Sequence, residues 1–458
     1  MANRPGRSES STRLNQCRSL GYERLAASMR PTILFTTPFL RHPAAGGYLL
    51  NVENSIKALA RIATLHIHSR DSLEPADLFS TQSYYQEFCE QLYITPPSPM
   101  ATRPGFAKRV ANRLARRVMG QNLFAAPHPS RAEQDCADIL RIAAQVKPDV
   151  LWLGYGAISY PLVRLVTASA SCKVVVQADG VYSRSILRGL PYARDEKARR
   201  RVTEEGKLKQ EEEQWGTPLA AVTTAVSEIE AEYYRGLAPS PEMVHLFRNV
   251  IDLEMYREVP PEPTGLQRPC LYLAGTFWHD DSPLGGSPME DAARWVVRDV
   301  LPLVRQRIPA VHLYIVGANS DDVVGDLAGP GITITGGLPS VLGYLCHADL
   351  ALVPLRFGSG TRFKILEAGA GAIPVVSTTL GAEGLPVQHE EHMLIADSAA
   401  DFAASIVRLL AETSLAQRLA ANLKTLVAAR FSVPALAEEG RGVLQYLKVI
   451  GDETVERA

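Results

Sequence analysis

Residues Leu352 to Leu385 read LVPLRFGSGTRFKILEAGAGAIPVVSTTLGAEGL. The apolar run Leu350 to Pro354 predicts a strand and Gly358 with Gly360 a loop. A helix carrying Arg362, Lys364 and Glu367 follows, and then a second strand, Pro374 to Ser377. Strand, glycine loop, helix and strand make a βαβ unit, whose ligand sits at the carboxyl end of the sheet. Glycines let backbone N–H groups approach a guest closely, and a helix start adds positive potential. Arg362 and Lys364 bring two cations to the same place, so the expected guest is an anion, most simply a diphosphate. Taken alone, the segment also fits an ordinary βα turn with solvated cations, because GSGTR matches neither the Walker pattern nor G-x-G-x-x-G. Glu367 shifts that balance. It shares a helix face with Lys364, three residues away, and a carboxylate there can accept hydrogen bonds from both hydroxyls of a ribose. Diphosphate plus ribose is a nucleotide.

The same alternation extends outward in both directions. Thr32 to Thr36, Thr64 to His68, Val150 to Leu153, Lys173 to Val176 and Ala221 to Thr224 read as strands, with helical periods such as Val52 to Ile62 and Arg131 to Val146 between them. Ser227 and Glu230 form a capping box that starts a helix after the last of those strands. EVPPEPTGLQRP, residues 258–269, is too rich in proline for a helix or a central strand. It divides the chain into 29–257 and 270–430, each reading as an α/β, doubly wound, parallel-sheet domain. Two such domains facing one another leave a cleft between their carboxyl ends.

Composition fits this reading. The 458 residues suffice for two full cores, and 46% hydrophobic with 21% charged residues describes a globular chain. A net charge of -1 argues against bulk attraction to nucleic acid. The six cysteines are scattered without a C-x-x-C pair, as expected of buried thiols in a reducing compartment. No metal site is expected: His66 and His68 lack a third ligand, and the HEEH of His389 to His392 is not H-E-x-x-H. Residues 1–28, with five arginines and many serines, read as a disordered and dispensable extension, with a transit peptide as the alternative. RPGFAKRVANRLARRVM, Arg103 to Met119, has the pattern of a basic amphipathic helix. It could touch an anionic membrane or an anionic acceptor, or form a solvated helix flank. The expected location is cytoplasmic, with peripheral contact at the inner face of a membrane if the first of these holds.

The central segment resembles the donor-site motif of glycosyltransferase family 4, the retaining nucleotide-sugar glycosyltransferases of the GT-B fold. The resemblance rests on G-x-G-T-R-F-K-I-L-E-A, P-V-V-S-T and G-A-E-G-L at the family's spacings. It extends to CLYLAGTF (Cys270 to Phe277), to Trp295 through Gly317 and to FRNVID (Phe247 to Asp252), and so covers most of the chain from about Val174. The resemblance implies two facing Rossmann-like domains, with residues 431–458 as a C-terminal helix returning toward the first. It implies transfer of a sugar from a nucleoside diphosphate sugar to a hydroxyl acceptor on a glycan, a lipid-linked carrier or a small molecule, without a cofactor. An inactive nucleotide-sugar-binding protein and a nucleotide-sugar epimerase are the alternatives.

Carried over by position, the donor site comprises Gly358, Ser359, Gly360, Thr361, Glu367, Gly275, Gly337, Leu338 and Glu383, and catalysis falls to Arg362, Lys364 and Asp179. Gly46, Gly47 and Arg184 belong to the acceptor side. Two departures stand out. Ser359 occupies the place where many relatives carry a glutamate that contacts the donor sugar, and no Arg and Lys pair follows Phe277. Arg362 and Lys364 are then left to hold the diphosphate.

Overall fold

Two separate parallel sheets organise the chain in the computed structural model, which describes residues 30–44, 46–71, 73, 75–95, 131–154, 159–193, 195–277, 287–358 and 363–451. The first comprises β1 (Thr32–Thr37), β2 (Thr64–Ser69), β3 (Gln91–Ile94), β4 (Val150–Leu153), β5 (Lys173–Gln177), β6 (Val222–Ala225) and β7 (Val244–Leu246), in the order β3-β2-β1-β4-β5-β6-β7. The second comprises β8 (Cys270–Ala274), β9 (His312–Val316), β10 (Ile332–Ile334), β11 (Leu350–Val353), β12 (Val375–Ser377) and β13 (Leu394–Ile395), in the order β10-β9-β8-β11-β12-β13. Helices cover both, as parallel crossovers require.

The central strands are the ones legible in the sequence. β4, VLWL, and β8, CLYLA, are buried along their whole length, and such runs must lie between two layers. β3 and β7 were not foreseen. They are short, lie at the two edges of their sheet, and bury little, so neither periodicity nor hydrophobicity marks them. Ser227 does cap its helix, accepting from the Glu230 N–H.

The chain crosses between the domains twice, and the two crossings run side by side. Ile251 N–H donates to the Phe431 carbonyl at 2.9 Å, and Ile251 and Ser432 form a parallel bridge. The final helix, Val433–Tyr446, buries Val433, Leu436, Val443 and Leu444 in the same cluster as Ile33, Phe35, Val52 and Leu59. Each such side chain contributes roughly 1.5–3 kcal/mol on burial, so the end of the chain is anchored to the first domain. Arg248 and Glu439 pair beside the crossing.

The expected extension over residues 1–28, the basic segment Arg103 to Met119, and Ser359, Gly360, Thr361 and Arg362 lie outside the described residues. Among the described residues no helix is long and apolar enough to cross a membrane.

Candidate functional site

In each sheet the strand order reverses beside the first strand of the domain, between β1 and β4 and between β8 and β11. A crevice opens at the carboxyl ends of such a pair. In the second domain those ends are continued by Gly275 after β8 and by the loop through Gly358 after β11. Gly275 has a close glycine neighbour: a Cβ on Gly317 would lie 2.0 Å from the Gly275 carbonyl oxygen. Gly317 takes φ +131 and Gly336 φ +68, and the Gly317 N–H donates to the Gly336 carbonyl at 3.2 Å. Side chains are therefore excluded along this edge. Gly337 follows, exposed, with Leu338 half-buried against the core of the second domain. Gly358 has φ +110, again backbone that favours glycine.

The helix Phe363–Ala370 leaves that loop. Phe363, Ile365, Leu366, Ala368 and Ala370 are buried, which turns the Lys364 and Glu367 face toward the crevice. Its packing is close because Gly369 has no side chain; a Cβ there would meet Val427 at 2.7 Å. The helix ends where Ile373 N–H donates to the Ala368 carbonyl and Ala372 takes φ +56, and Pro374 prevents continuation. Lys364 lies against Gly275, whose added Cβ would sit 3.0 Å from the lysine Cε. Glu367 keeps some surface open, yet protein encloses its carboxyl group. Burial raises its pKa to about 7, against a smaller opposing pull from Lys364. Burial raises the pKa of two tyrosine hydroxyls, Tyr272 on β8 and Tyr256 on the crossing segment, and the Glu367 charge adds to both shifts. The Tyr272 hydroxyl is buried and has no hydrogen-bond partner among the described residues.

The first domain meets this edge with its own glycine turn. Gly46, at φ +86, precedes the helix Gly47–Ile62. A Cβ on Gly46 would stand 3.3 Å from Thr276 Oγ1, and one on Gly47 would stand 3.1 Å from the Phe363 ring. Gly46 thus faces the end of β8, and Gly47 the start of the Lys364 helix. Asp179 follows β5, and burial raises its carboxyl pKa to about 6. Burial raises the Tyr48 and Tyr182 hydroxyls, and the charge of Asp179 adds to both, so Asp179 lies near the helix that follows the glycine turn. A buried network holds the two elements together. Gln177 Nε2 donates to Asn51 Oδ1 at 2.7 Å, Trp152 Nε1 donates to Gln177 Oε1 at 2.8 Å, and Asn54 Nδ2 donates to the Val250 carbonyl at 2.7 Å. A buried network of this kind fixes one arrangement when its members are satisfied.

Gly46, Gly47, Asp179, Gly275, Gly358, Lys364 and Glu367 are therefore gathered around one cleft. Arg184 is engaged differently, with its guanidinium 5.4 Å from the Tyr233 ring centre. One turn further along, Arg188 reaches across to the second domain. It donates to both carboxylate oxygens of Glu383, at 2.5 and 2.8 Å, and to the Gly358 carbonyl at 3.1 Å. Sequence reading passed over Arg188, Gly317, Tyr256 and Tyr272. Gly317 directly after an apolar strand was the one available signal; an arginine and two tyrosines have no motif around them. Among the described residues no three His, Cys, Asp or Glu side chains converge to hold a metal ion.

Residues 284–412 match the family model described as glycosyl transferases group 1. No curated protein sequence matches the chain. Similar solved structures include HepE of Anabaena in complex with UDP and glucose, 13% identical, covering 91% of this chain and 99% of that one, with a TM-score of 0.59. Sucrose-phosphate synthase from Thermosynechococcus elongatus is 16% identical, with coverage of 92% and 99% and a TM-score of 0.63. A glycosyltransferase from Rickettsia africae is 12% identical, with coverage of 92% and 99% and a TM-score of 0.57. The fold is GT-B, and the family match within it supports a glycosyltransferase.

Proposed function

We propose that this chain is a retaining glycosyltransferase that moves a sugar from a nucleoside diphosphate sugar to a hydroxyl acceptor. The supporting observation is Glu367, an enclosed carboxylate on the same helix face as Lys364, at the start of a helix that follows a glycine loop at the switch point of the second sheet. Such an arrangement suits the ribose and diphosphate of a nucleotide together. Solved complexes of HepE contain UDP, UDP with glucose, and UDP-glucose, so a uridine donor is the first to test.

As the sugar leaves the diphosphate, negative charge grows on the phosphate oxygens and positive charge on the ring. Lys364, with Arg362 beside it in sequence, stabilises the leaving group; each charge-assisted hydrogen bond contributes roughly 1.5–3 kcal/mol. The helix start adds about 0.3–2 kcal/mol. Glu367 accepts from the ribose hydroxyls and sets the register of the nucleotide. Gly275 and Gly317 allow the diphosphate to approach the backbone, and Gly337 and Leu338 offer backbone groups to the base. Asp179 supplies a carboxylate on the acceptor side, where it can take a hydrogen bond from the attacking hydroxyl. Attack on the face the leaving group vacates, without a protein nucleophile, preserves the anomeric configuration.

Product analysis tests the whole reading. Nucleoside diphosphate should appear only when acceptor is present, and the new linkage should keep the donor's anomeric configuration by NMR. Inversion would overturn retention, and binding without turnover would reduce the chain to a nucleotide-sugar-binding protein.

A further inference from the structure

We propose that Tyr234 and Glu213 are positioning residues for Asp179, which fix its carboxylate at the acceptor edge by clamping the turn that carries it. This rests on the transferase reading above, which gives Asp179 its part in the reaction.

The turn leaves β5 and is gripped after Asp179 by side chains from two later helices. Ala178 N–H donates to the Thr224 carbonyl of β6 at 3.2 Å, which fixes the entry to the turn. One residue after Asp179, the Gly180 carbonyl accepts from the Tyr234 hydroxyl at 2.9 Å. Ser183 lies in the first turn of the helix Tyr182–Leu187, and its N–H and its hydroxyl both donate to the Glu213 carboxylate, at 3.0 and 2.5 Å. The Tyr233 hydroxyl donates to that carboxylate as well, at 2.7 Å. Tyr233 and Tyr234 are neighbours on the helix Glu228–Arg235, so the two attachments are joined to one another. Arg184 adds a cation over the Tyr233 ring.

The clamp is buried where Asp179 is not. Glu213 keeps 1% of its surface open and Tyr234 none, while Asp179 is only partly covered. Enclosing a carboxylate so fully is unfavourable unless its oxygens are engaged, and three donors engage them here. Apolar residues of the same volume would serve stability as well, so the network is explained by the placement it enforces. A satisfied buried network admits one arrangement of the elements it joins. Here that arrangement sets the turn between β5 and its helix, and so the direction of a carboxylate that must meet an acceptor hydroxyl at hydrogen-bond distance.

Carbon-13 NMR of the aspartate carboxyls in the full chain tests the clamp without any ligand. The Asp179 signal, assigned by its absence in Asp179→Asn, should titrate at about 6 in the wild type. In Tyr234→Phe its midpoint should fall toward the ordinary 3.8, as the loosened turn lets water reach the carboxyl. A wild-type midpoint of 3.8, or the same midpoint in both proteins, overturns the proposal. If Tyr234→Phe does not fold, Ser183→Ala is read in the same way. Kinetics with UDP-glucose then test the link to the reaction. Tyr234→Phe should lower kcat about fivefold in the wild-type background and less than about twofold in Asp179→Asn, because a positioning residue acts only through the group it positions. Equal losses in the two backgrounds mean a structural role and overturn the proposal. A wild type that binds UDP-glucose and transfers to no acceptor defeats the transferase reading instead, and the NMR result still decides the clamp.

Discussion

The two edges that face each other across the cleft are built from different materials. On the second domain the edge is backbone: Gly275, Gly317 and Gly336 are packed too closely for side chains, Gly358 takes φ +110, and one short helix sets Lys364 and Glu367 beside them. On the first domain, beyond the turn at Gly46 and Gly47, the edge is made of side chains. Tyr48 comes from the helix Gly47–Ile62, while Asp179, Tyr182 and Arg188 come from the segment after β5, and the Gln177, Asn51 and Trp152 network ties that helix to β5. A backbone edge grips what all nucleoside diphosphates share. A side-chain edge can be changed residue by residue, which suits the partner that differs between enzymes, the acceptor.

The largest expected effect lies on the backbone edge. Lys364→Ala should lower kcat/KM for the nucleotide sugar by about a hundredfold or more, roughly 2.7 kcal/mol of leaving-group stabilisation. Steady-state kinetics at varied donor concentration measure it, and wild-type values would remove Lys364 from the site. Gly317→Ala should cost about 1–3 kcal/mol in urea unfolding, because its Cβ would meet the Gly275 carbonyl. Gly442, in the final helix, has nothing among the described residues within 4 Å of an added Cβ. The same substitution there should be neutral or stabilise by about 0.4–1 kcal/mol.

Asp179→Asn separates the two edges. Turnover should fall about tenfold, equivalent to about 1.4 kcal/mol, while nucleotide affinity measured by calorimetry stays at the wild-type value. Loss of affinity would mean that Asp179 belongs to the donor grip and that the contrast between edges is false.

The smallest effect is a pH slope with a definite sign. Burial raises Glu367 from 4.5 to about 7. Burial favours the protonated form in the folded protein, so the stability it contributes is full below pH 4.5 and is lost as pH rises through about 7. Ribose hydroxyls need the ionised form, so nucleotide affinity should instead rise severalfold between about pH 6 and 8. Glu367→Gln should flatten both trends. An affinity that does not change with pH in the wild type would take Glu367 out of the ribose contact.

How much of this was legible follows the same division. The β11 loop and its helix could be read because glycines, cations and a carboxylate lie within ten residues and their spacing is set by helix geometry. Central strands could be read because burial on both faces demands continuous apolar runs, as in β4 and β8. β3 and β7 could not, since edge strands bury too little to leave a pattern. Arg188 and Glu383 are separated by 195 residues, and no local rule connects residues so far apart.

Sequence alone determined the two doubly wound domains and a motif suited to a nucleotide in the second. Those features rest on short-range physics: φ freedom at glycine, strand and helix periods, and proline's missing N–H. Only the tertiary structure decided which residues of the first domain meet that motif. It set Gly46 against Thr276, Gly47 against Phe363, Asp179 beside Tyr48, and Arg188 rather than Arg184 on Glu383. The relative placement of two rigid bodies depends on the sum of many weak contacts across the cleft and at the paired crossings, and no single stretch of the chain encodes that sum.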